Sequence, residues 1–353
     1  MKSNYFFERS NKNRKSLANY LEDLPQYCFD FFVGIESKTT PLTRLNYAMD
    51  ISVFFDYLSK WKFGKEIKQI SLQDLAAVTS SDIENFLSYL SYYEYKDKEY
   101  HNGERGKVRK LASVRSFFKY FFNKDRLPFN VASKVETPKL HQKEIIRLET
   151  DEVVKILQNA ENHEVGLKHQ QNYNKNTSVR DLAMLSLFLG TGIRISECVG
   201  LNVEDIDFAN NAFKITRKGG NQVVLYFSDE VKQALQNWMD YRETLNADTN
   251  ALFLSLQKKR ICTRAVQNLV KKYSLTVNPL KKITPHKLRS TYGTNLYRET
   301  KDIYIVADVL GHKDVNTTKR HYAAISEDIR RSAANKVKLR WKIFTFQYFL
   351  YTL

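Results

Sequence analysis

The chain has 353 residues, too many for one ordinary hydrophobic core, so two domains are expected. A hydrophobic fraction of 42% with 13% aromatic residues supplies packed cores and excludes an intrinsically disordered chain. Lys and Arg number 56 against 39 Asp and Glu, and the resulting +17 favours a polyanionic partner, nucleic acid first. Three widely spaced cysteines, Cys28, Cys198 and Cys262, form no C-x-x-C pair. They fit a reducing compartment and neither a disulfide framework nor a zinc site. The N-terminus lacks the apolar run of a secretory signal, and no stretch reaches the ~18 apolar residues of a membrane span. A cytoplasmic protein is expected.

Residues 1–15 are polar and basic and are expected to form a flexible lead-in. A helical pattern then runs from Leu17 to about Phe122. Tyr47, Ile51, Phe54, Phe55 and Leu58 recur at helix spacing, with Thr40 or Thr43 available as a cap. Ser80-Ser81-Asp82 predicts the start of a helix carrying Ile83, Phe86, Leu87 and Leu90. After the polar stretch 94–106, a further helix places Val108, Leu111, Val114, Phe118 and Phe121 on one side. Arg105, Arg109, Ser116 and Lys119 lie on another, with Lys110 and Arg115 nearby, a basic stripe suited to a phosphate backbone. The first domain thus reads as all-helical over 16–137. Pro128 and Pro138, in polar and charged surroundings, break the periodicity, and an interdomain linker is expected at 138–147.

The second domain, 148–335, opens on a helix from Asp151 with Thr150 as its expected cap. A polar loop follows over 162–176, then an apolar helix from Arg180 to Leu189, stopped at Gly190-Thr-Gly-Ile-Arg194. Three short β-type runs come next, at 205–208, 212–216 and 223–227. The last two flank Arg217-Lys-Gly-Gly-Asn221, a hairpin turn whose glycines supply positive φ. Ser228-Asp-Glu caps another helix, and helices continue onward. An α+β domain, mostly helical with a small antiparallel sheet, is predicted.

Several features in this domain can carry chemistry. Arg194, just after a glycine turn, can offer a bidentate fork to phosphate, and Glu197 stands one turn along to orient a neighbouring donor. Lys218 sits at a hairpin tip, where an ammonium can protonate a leaving oxygen. His286 and Arg289 in Thr284-Pro-His-Lys-Leu-Arg289 are spaced i, i+3 on one helix face and can address one phosphate. His312 follows a glycine break. Tyr322 is one of 21 tyrosines but stands in the cationic stretch Thr317-Thr-Lys-Arg-His-Tyr322. A phenol of pKa ~10 attacks a phosphodiester only where cations favour phenolate character and stabilise the transition state. No phosphate-loop motif, dinucleotide fingerprint or metal-spaced carboxylate cluster is present, so a nucleotide-free reaction without metal or other cofactor is expected.

The ordered set Arg194, Lys218, His286-x-x-Arg289, His312 and Tyr322 resembles the tyrosine recombinase (phage-type integrase) family, and its layout is most similar to the single-protein form of the Xer branch. The resemblance implies an all-α, SAM-like core-binding domain and an α+β catalytic domain closing as a C-shaped clamp on DNA. It implies that Arg194 and Arg289 clamp the scissile phosphate, with Glu197 in support. Lys218 would protonate the departing 5′ oxygen, His286 would act as acid/base, and His312 would hydrogen-bond the phosphate. Tyr322 would form a 3′-phosphotyrosyl link. Implied partners are a double-stranded DNA site, three further copies in a homo-tetramer on DNA (a monomer in solution) and an accessory protein, with no membrane. Two departures stand out: the spacing from His312 to Tyr322 is one residue longer than usual, and Ser290 replaces a common histidine. Chromosome dimer resolution is the expected role. Integration or excision of a mobile element, a type IB topoisomerase and a non-catalytic DNA-binding protein are the alternatives.

Beyond the nucleophile, Ile325, Ile329, Ala333 and Val337 form a helical stripe, and in the tail 336–353 Phe344, Phe346 and Tyr348 alternate with Thr345 and Gln347 as in a strand. The aromatic tail is expected to pack on a protomer surface, in cis or in trans. Deleting Trp341–Leu353 should therefore change the solubility of the protein or the stoichiometry of its DNA complex in a light-scattering measurement; no change in either would refute the packing.

Overall fold

A computed structural model describes residues 5–141, 146–162, 171–217, 220–311 and 315, with 171–176 in backbone only. The chain divides into two units, Met1–Lys143 and Glu144–Leu353. No helix among the described residues is long and apolar enough to cross a membrane.

The N-terminal unit is helical: Tyr5–Glu22 (α1), Cys28–Gly34 (α2), Pro41–Leu58 (α3), Leu72–Ala76 (α4), Ser80–Tyr89 (α5) and Glu104–Phe122 (α6). Local capping chemistry sets several starts. Thr40 opens α3, its hydroxyl accepting from the Thr43 N–H at 3.2 Å, with Pro41 in the first turn. At α5 the cap is Thr79, one residue before the expected Ser80. Its N–H donates to the Asp82 carboxylate at 2.7 Å and its hydroxyl accepts from the Asp82 N–H at 3.2 Å. Helix α3 is the centre: α1 and α6 both pack on it, which is why Ile51, Val53, Phe54, Phe55 and Leu58 are all buried. The core is largely aromatic and packs edge to face, with Phe54 5.0 Å from Phe86, and Phe117 5.0 Å from Phe121 and 5.2 Å from Phe31.

Two features depart from the sequence reading. Residues 5–15, expected as a lead-in, are the first half of α1. No Gly or Pro interrupts 5–22, and Leu17, Tyr20 and Leu21 dock on the core, so the polar run is simply that helix's outer surface. The polar stretch after α5 holds a small hairpin, Tyr93–Tyr95 (β1) with Lys98–Tyr100 (β2). Its turn residues Lys96 and Asp97 adopt φ of 50° and 58° without glycine, which hid the turn from its usual signature.

The second unit runs Thr150–Glu161 (α7), Gln171–Thr191 (α8), Ile195–Gly200 (α9), Ile206–Asp207 (β3), Ala212–Thr216 (β4), Gln222–Tyr226 (β5), Asp229–Thr244 (α10), Thr263–Val277 (α11), Pro285–Thr300 (α12) and Ile303–Leu310 (α13). The strands form one antiparallel sheet in the order β3-β4-β5, with Phe213 opposite Leu225 and Ile215 opposite Val223. Helix α8 is the hub, packed by α7, α10 and α12. It begins at Gln171, well before the expected Arg180, and its polar Asp181 is satisfied inside. Buried Asp181 accepts from Arg180 (2.7 Å), Lys272 (3.2 Å), Tyr273 (3.1 Å) and Thr177 (3.3 Å). Helix α7 starts at Thr150 itself, where the Glu149 N–H donates to the Glu152 carboxylate at 2.9 Å.

Phe117 is fully buried and touches four other rings. Replacing it by alanine should cost about 3–5 kcal/mol in a urea unfolding experiment; a loss under about 1 kcal/mol would mean the aromatic cluster is not what holds the N-terminal unit.

Candidate active site

The site is built where α8 ends. Thr191 closes the helix, its hydroxyl donating to the Leu187 carbonyl at 2.6 Å. Gly192 then turns the chain at φ +63°, and a Cβ there would lie 2.5 Å from the Tyr292 ring and 2.9 Å from Leu310. Only glycine fits both the left-handed backbone and the space. The turn delivers Arg194 to the start of α9. There one carboxylate holds it twice: Glu197 accepts from the Arg194 N–H at 2.9 Å and from Nη1 at 2.9 Å. Glu197 is 4% exposed and the arginine side chain 37%, so the ion pair is anchored inside and opens outward.

The remaining arginine donors reach the far end of α13. Arg194 Nη2 donates to the carbonyls of Leu310 (3.2 Å) and Gly311 (2.9 Å). Arg289, one turn into α12 and 5% exposed, donates through Nη1 to the Gly192 carbonyl at 2.5 Å and through Nη2 to Leu310 O. A third guanidinium joins them: Arg217, just past β4, donates through Nη2 to the Val309 carbonyl at 2.9 Å. A helix C-terminus leaves its last carbonyls without helical partners and carries a partial negative charge, so it attracts cations. Three arginines from three elements are drawn together there with one buried carboxylate beside them.

Sequence spacing had paired His286 with Arg289. Both lie in the first turns of α12, but Arg289 is buried and His286 exposed. Ser290 donates back to the His286 carbonyl at 3.1 Å, within its own helix. Arg194, Glu197 and Arg289 are brought together as the motif suggested. Arg217 was overlooked, because its neighbour Lys218 drew attention and nothing local indicates that its side chain meets α13. Lys218, His312 and Tyr322 lie outside the described residues, as does the tail 336–353; their chain neighbours Arg217 and Gly311 are both in the cluster.

Other candidate nucleophiles here are poorly placed electronically. Burial pushes the Cys198 thiol well up, and burial likewise raises the Tyr292 phenol, the opposite of what attack requires.

The basic stripe on α6 divides. Arg105 and Lys119 are exposed. Arg109 is half-exposed and tethered at 2.5 Å to the buried carboxylate of Asp50, which also accepts from Ser113 at 2.7 Å. Lys110 and Arg115 are corrections to the expected stripe. Lys110 is buried, its ammonium 3.6 Å from Asp50. Arg115 donates to the carbonyls of Ala132 (3.2 Å) and Val135 and to the Thr137 hydroxyl (2.8 Å), which fastens the segment after α6. Both serve the fold.

The chain belongs to the phage integrase family, matched over residues 146–328, and is a Xer-like, tyrosine-type site-specific recombinase. It is 32% identical over 317 residues to the tyrosine recombinase XerC of Caldanaerobacter subterraneus subsp. tengcongensis, across 87% of this chain and 84% of that protein. The fold is shared with solved recombinases. The XerH site-specific recombinase bound to palindromic difH substrate aligns with a TM-score of 0.63 at 17% identity, covering 84% of this chain and 80% of that one. A lambda integrase tetramer bound to a Holliday junction aligns at 0.60 and 15% identity, covering 84% and 76%.

Glu197→Ala leaves Arg194 Nη1 and the Arg194 backbone N–H without their acceptor. It should lower stability by about 1–3 kcal/mol, and Glu197→Gln, which keeps one acceptor oxygen, by less. Chemical denaturation of the three proteins checks the order; equal midpoints would remove Glu197 as the anchor.

Proposed function

We propose that this recombinase cuts and rejoins double-stranded DNA at a specific site through Tyr322, and that its role is Xer-type resolution of chromosome dimers. The observation that supports it most is the meeting of Arg194 and Arg289 on one acceptor, the Leu310 carbonyl. Two guanidinium forks aimed at a single oxygen are equipped to hold the non-bridging oxygens of one phosphate. Glu197 keeps the first of them in place before DNA arrives, so little reorganisation accompanies the reaction.

In the proposed step the Tyr322 oxygen bonds to phosphorus and the bond to the 5′ oxygen breaks. The phenolic proton leaves to a base, assigned to His286, and Lys218 gives a proton to the departing 5′ oxygen. His312 hydrogen-bonds the phosphate. The energy of the broken ester is kept in the 3′-phosphotyrosyl bond, so the incoming 5′ hydroxyl of a second strand reverses the chemistry without further input. Arg194 and Arg289 oppose the charge that builds on the phosphate oxygens. Four protomers exchange strands in pairs through a Holliday junction, as monomers assembled on the DNA and governed by an accessory protein. The net charge of +17 suits that polyanion, and Arg105, Arg109 and Lys119 on α6 are assigned to its backbone.

The test is a nicked suicide substrate carrying the target, incubated without Mg²⁺ and resolved under denaturing conditions. A covalent protein–DNA adduct is expected from the wild type and none from Tyr322→Phe, which should still bind DNA. Arg194→Ala and Arg289→Ala should each lose about 3–4 kcal/mol of transition-state stabilisation, roughly 10²–10³ in cleavage rate. An undiminished adduct in Tyr322→Phe would overturn the assignment.

A further inference from the structure

We propose that Arg217 is a positioning residue that acts through Lys218, by fixing the base of the β4–β5 hairpin to the end of α13. The proposal rests on the reading of Lys218 as the proton donor to the 5′ oxygen.

Arg217 serves both elements. Its backbone closes the hairpin: the N–H donates to the Asn221 carbonyl at 2.8 Å, and its own carbonyl accepts from the Gly220 N–H at 3.1 Å. Its side chain leaves the hairpin and donates to Val309 on α13 at 2.9 Å. The guanidinium packs closely against Gly311. A Cβ on Gly311 would lie 2.1 Å from Nη1 and 2.4 Å from Cζ, and Gly311 itself stands at φ +60°. The guanidinium therefore lies directly on the glycine that precedes His312, while its own backbone precedes Lys218. One side chain thus fixes the chain points from which two assigned groups follow.

The surroundings argue against a plain packing role. Arg217 is near Glu197, whose charge favours its protonated form, and near Arg194, whose charge opposes it; burial is the larger cost. Its Nε is buried with no hydrogen-bond partner among the described residues. Here an arginine joins the hairpin base to the end of α13 beside the phosphate clamp, where geometry matters.

The leaving group supplies the test. If the bridging 5′ oxygen at the scissile phosphate is replaced by sulfur, the departing thiol, with a pKa of ~8.5, needs no proton donor. Cleavage of the oxygen and sulfur substrates is measured with the full-length wild type, Arg217→Ala and Lys218→Ala, alongside melting temperature and DNA affinity. Misplacement of a catalytic group by about 1 Å costs on the order of 10²-fold. Arg217→Ala should show such a loss on the oxygen substrate and near wild-type cleavage on the sulfur one, at unchanged DNA affinity. A loss on both substrates, with Lys218→Ala rescued by sulfur, would overturn the positioning role and leave Lys218 as the donor. Lys218→Ala unrescued by sulfur would overturn the donor reading and the inference with it. Should Arg217→Ala fail to fold, Arg217→Lys keeps the charge but loses the fork, and the same oxygen–sulfur split is required of it.

Discussion

The carbonyl end of α13 is the constraint on which the catalytic unit's polar centre depends. Val309, Leu310 and Gly311 present acceptors at the negative end of a helix, and Arg217, Arg194 and Arg289 converge on them from β4, α9 and α12. Like charges so close would repel in isolation. The helix-end carbonyls and the Glu197 carboxylate offset that repulsion, and charge-assisted hydrogen bonds of this kind are worth roughly 1.5–3 kcal/mol each. The same groups that keep three cations together also keep their forks oriented. A cationic site held by backbone acceptors is organised in advance, and preorganisation of this sort is the main source of electrostatic catalysis.

The glycines around this centre follow from the same crowding. Gly192 has Tyr292 and Leu310 against it, and Gly311 has the Arg217 guanidinium. In both cases the backbone passes close to a neighbouring side chain and takes a left-handed φ, +63° at Gly192 and +60° at Gly311. The N-terminal unit shows a parallel economy on a smaller scale. Buried Asp50 in α3 holds Arg109, Lys110 and Ser113 of α6. One carboxylate thereby joins two core helices and leaves the partly exposed Arg109 held in a fixed direction.

Much of this was legible in the sequence, because the signals were local. Apolar spacing placed α3, α5, α6 and α10, and the glycine-bearing turn after Thr216 placed the β4–β5 hairpin. Arg194 and Glu197, three residues apart at a helix start, are an ion pair that spacing alone suggests. What escaped was made by tertiary contact. Arg217 meets Val309 across 92 residues, and no local pattern encodes that. Helical periodicity gave Lys110 and Arg115 a basic face, but Asp50 and the segment after Ala132 decide what that face touches. Asp181 of helix α8 is a further case: Lys272 and Tyr273, from α11, satisfy a carboxylate that reads as polar in the sequence. Polarity marks solvent or a satisfied interior equally well, and only the fold distinguishes them.

The central claim is that this cationic centre serves one nucleophile, Tyr322. The most direct measurement is to trap the covalent intermediate on a suicide substrate, digest protein and DNA, and sequence the nucleotide-bearing peptide by tandem mass spectrometry. Attack by Tyr322 predicts a 3′-phosphonucleotide on that residue alone. A nucleotide carried by any other residue, Tyr304 or Tyr292 among them, would contradict it.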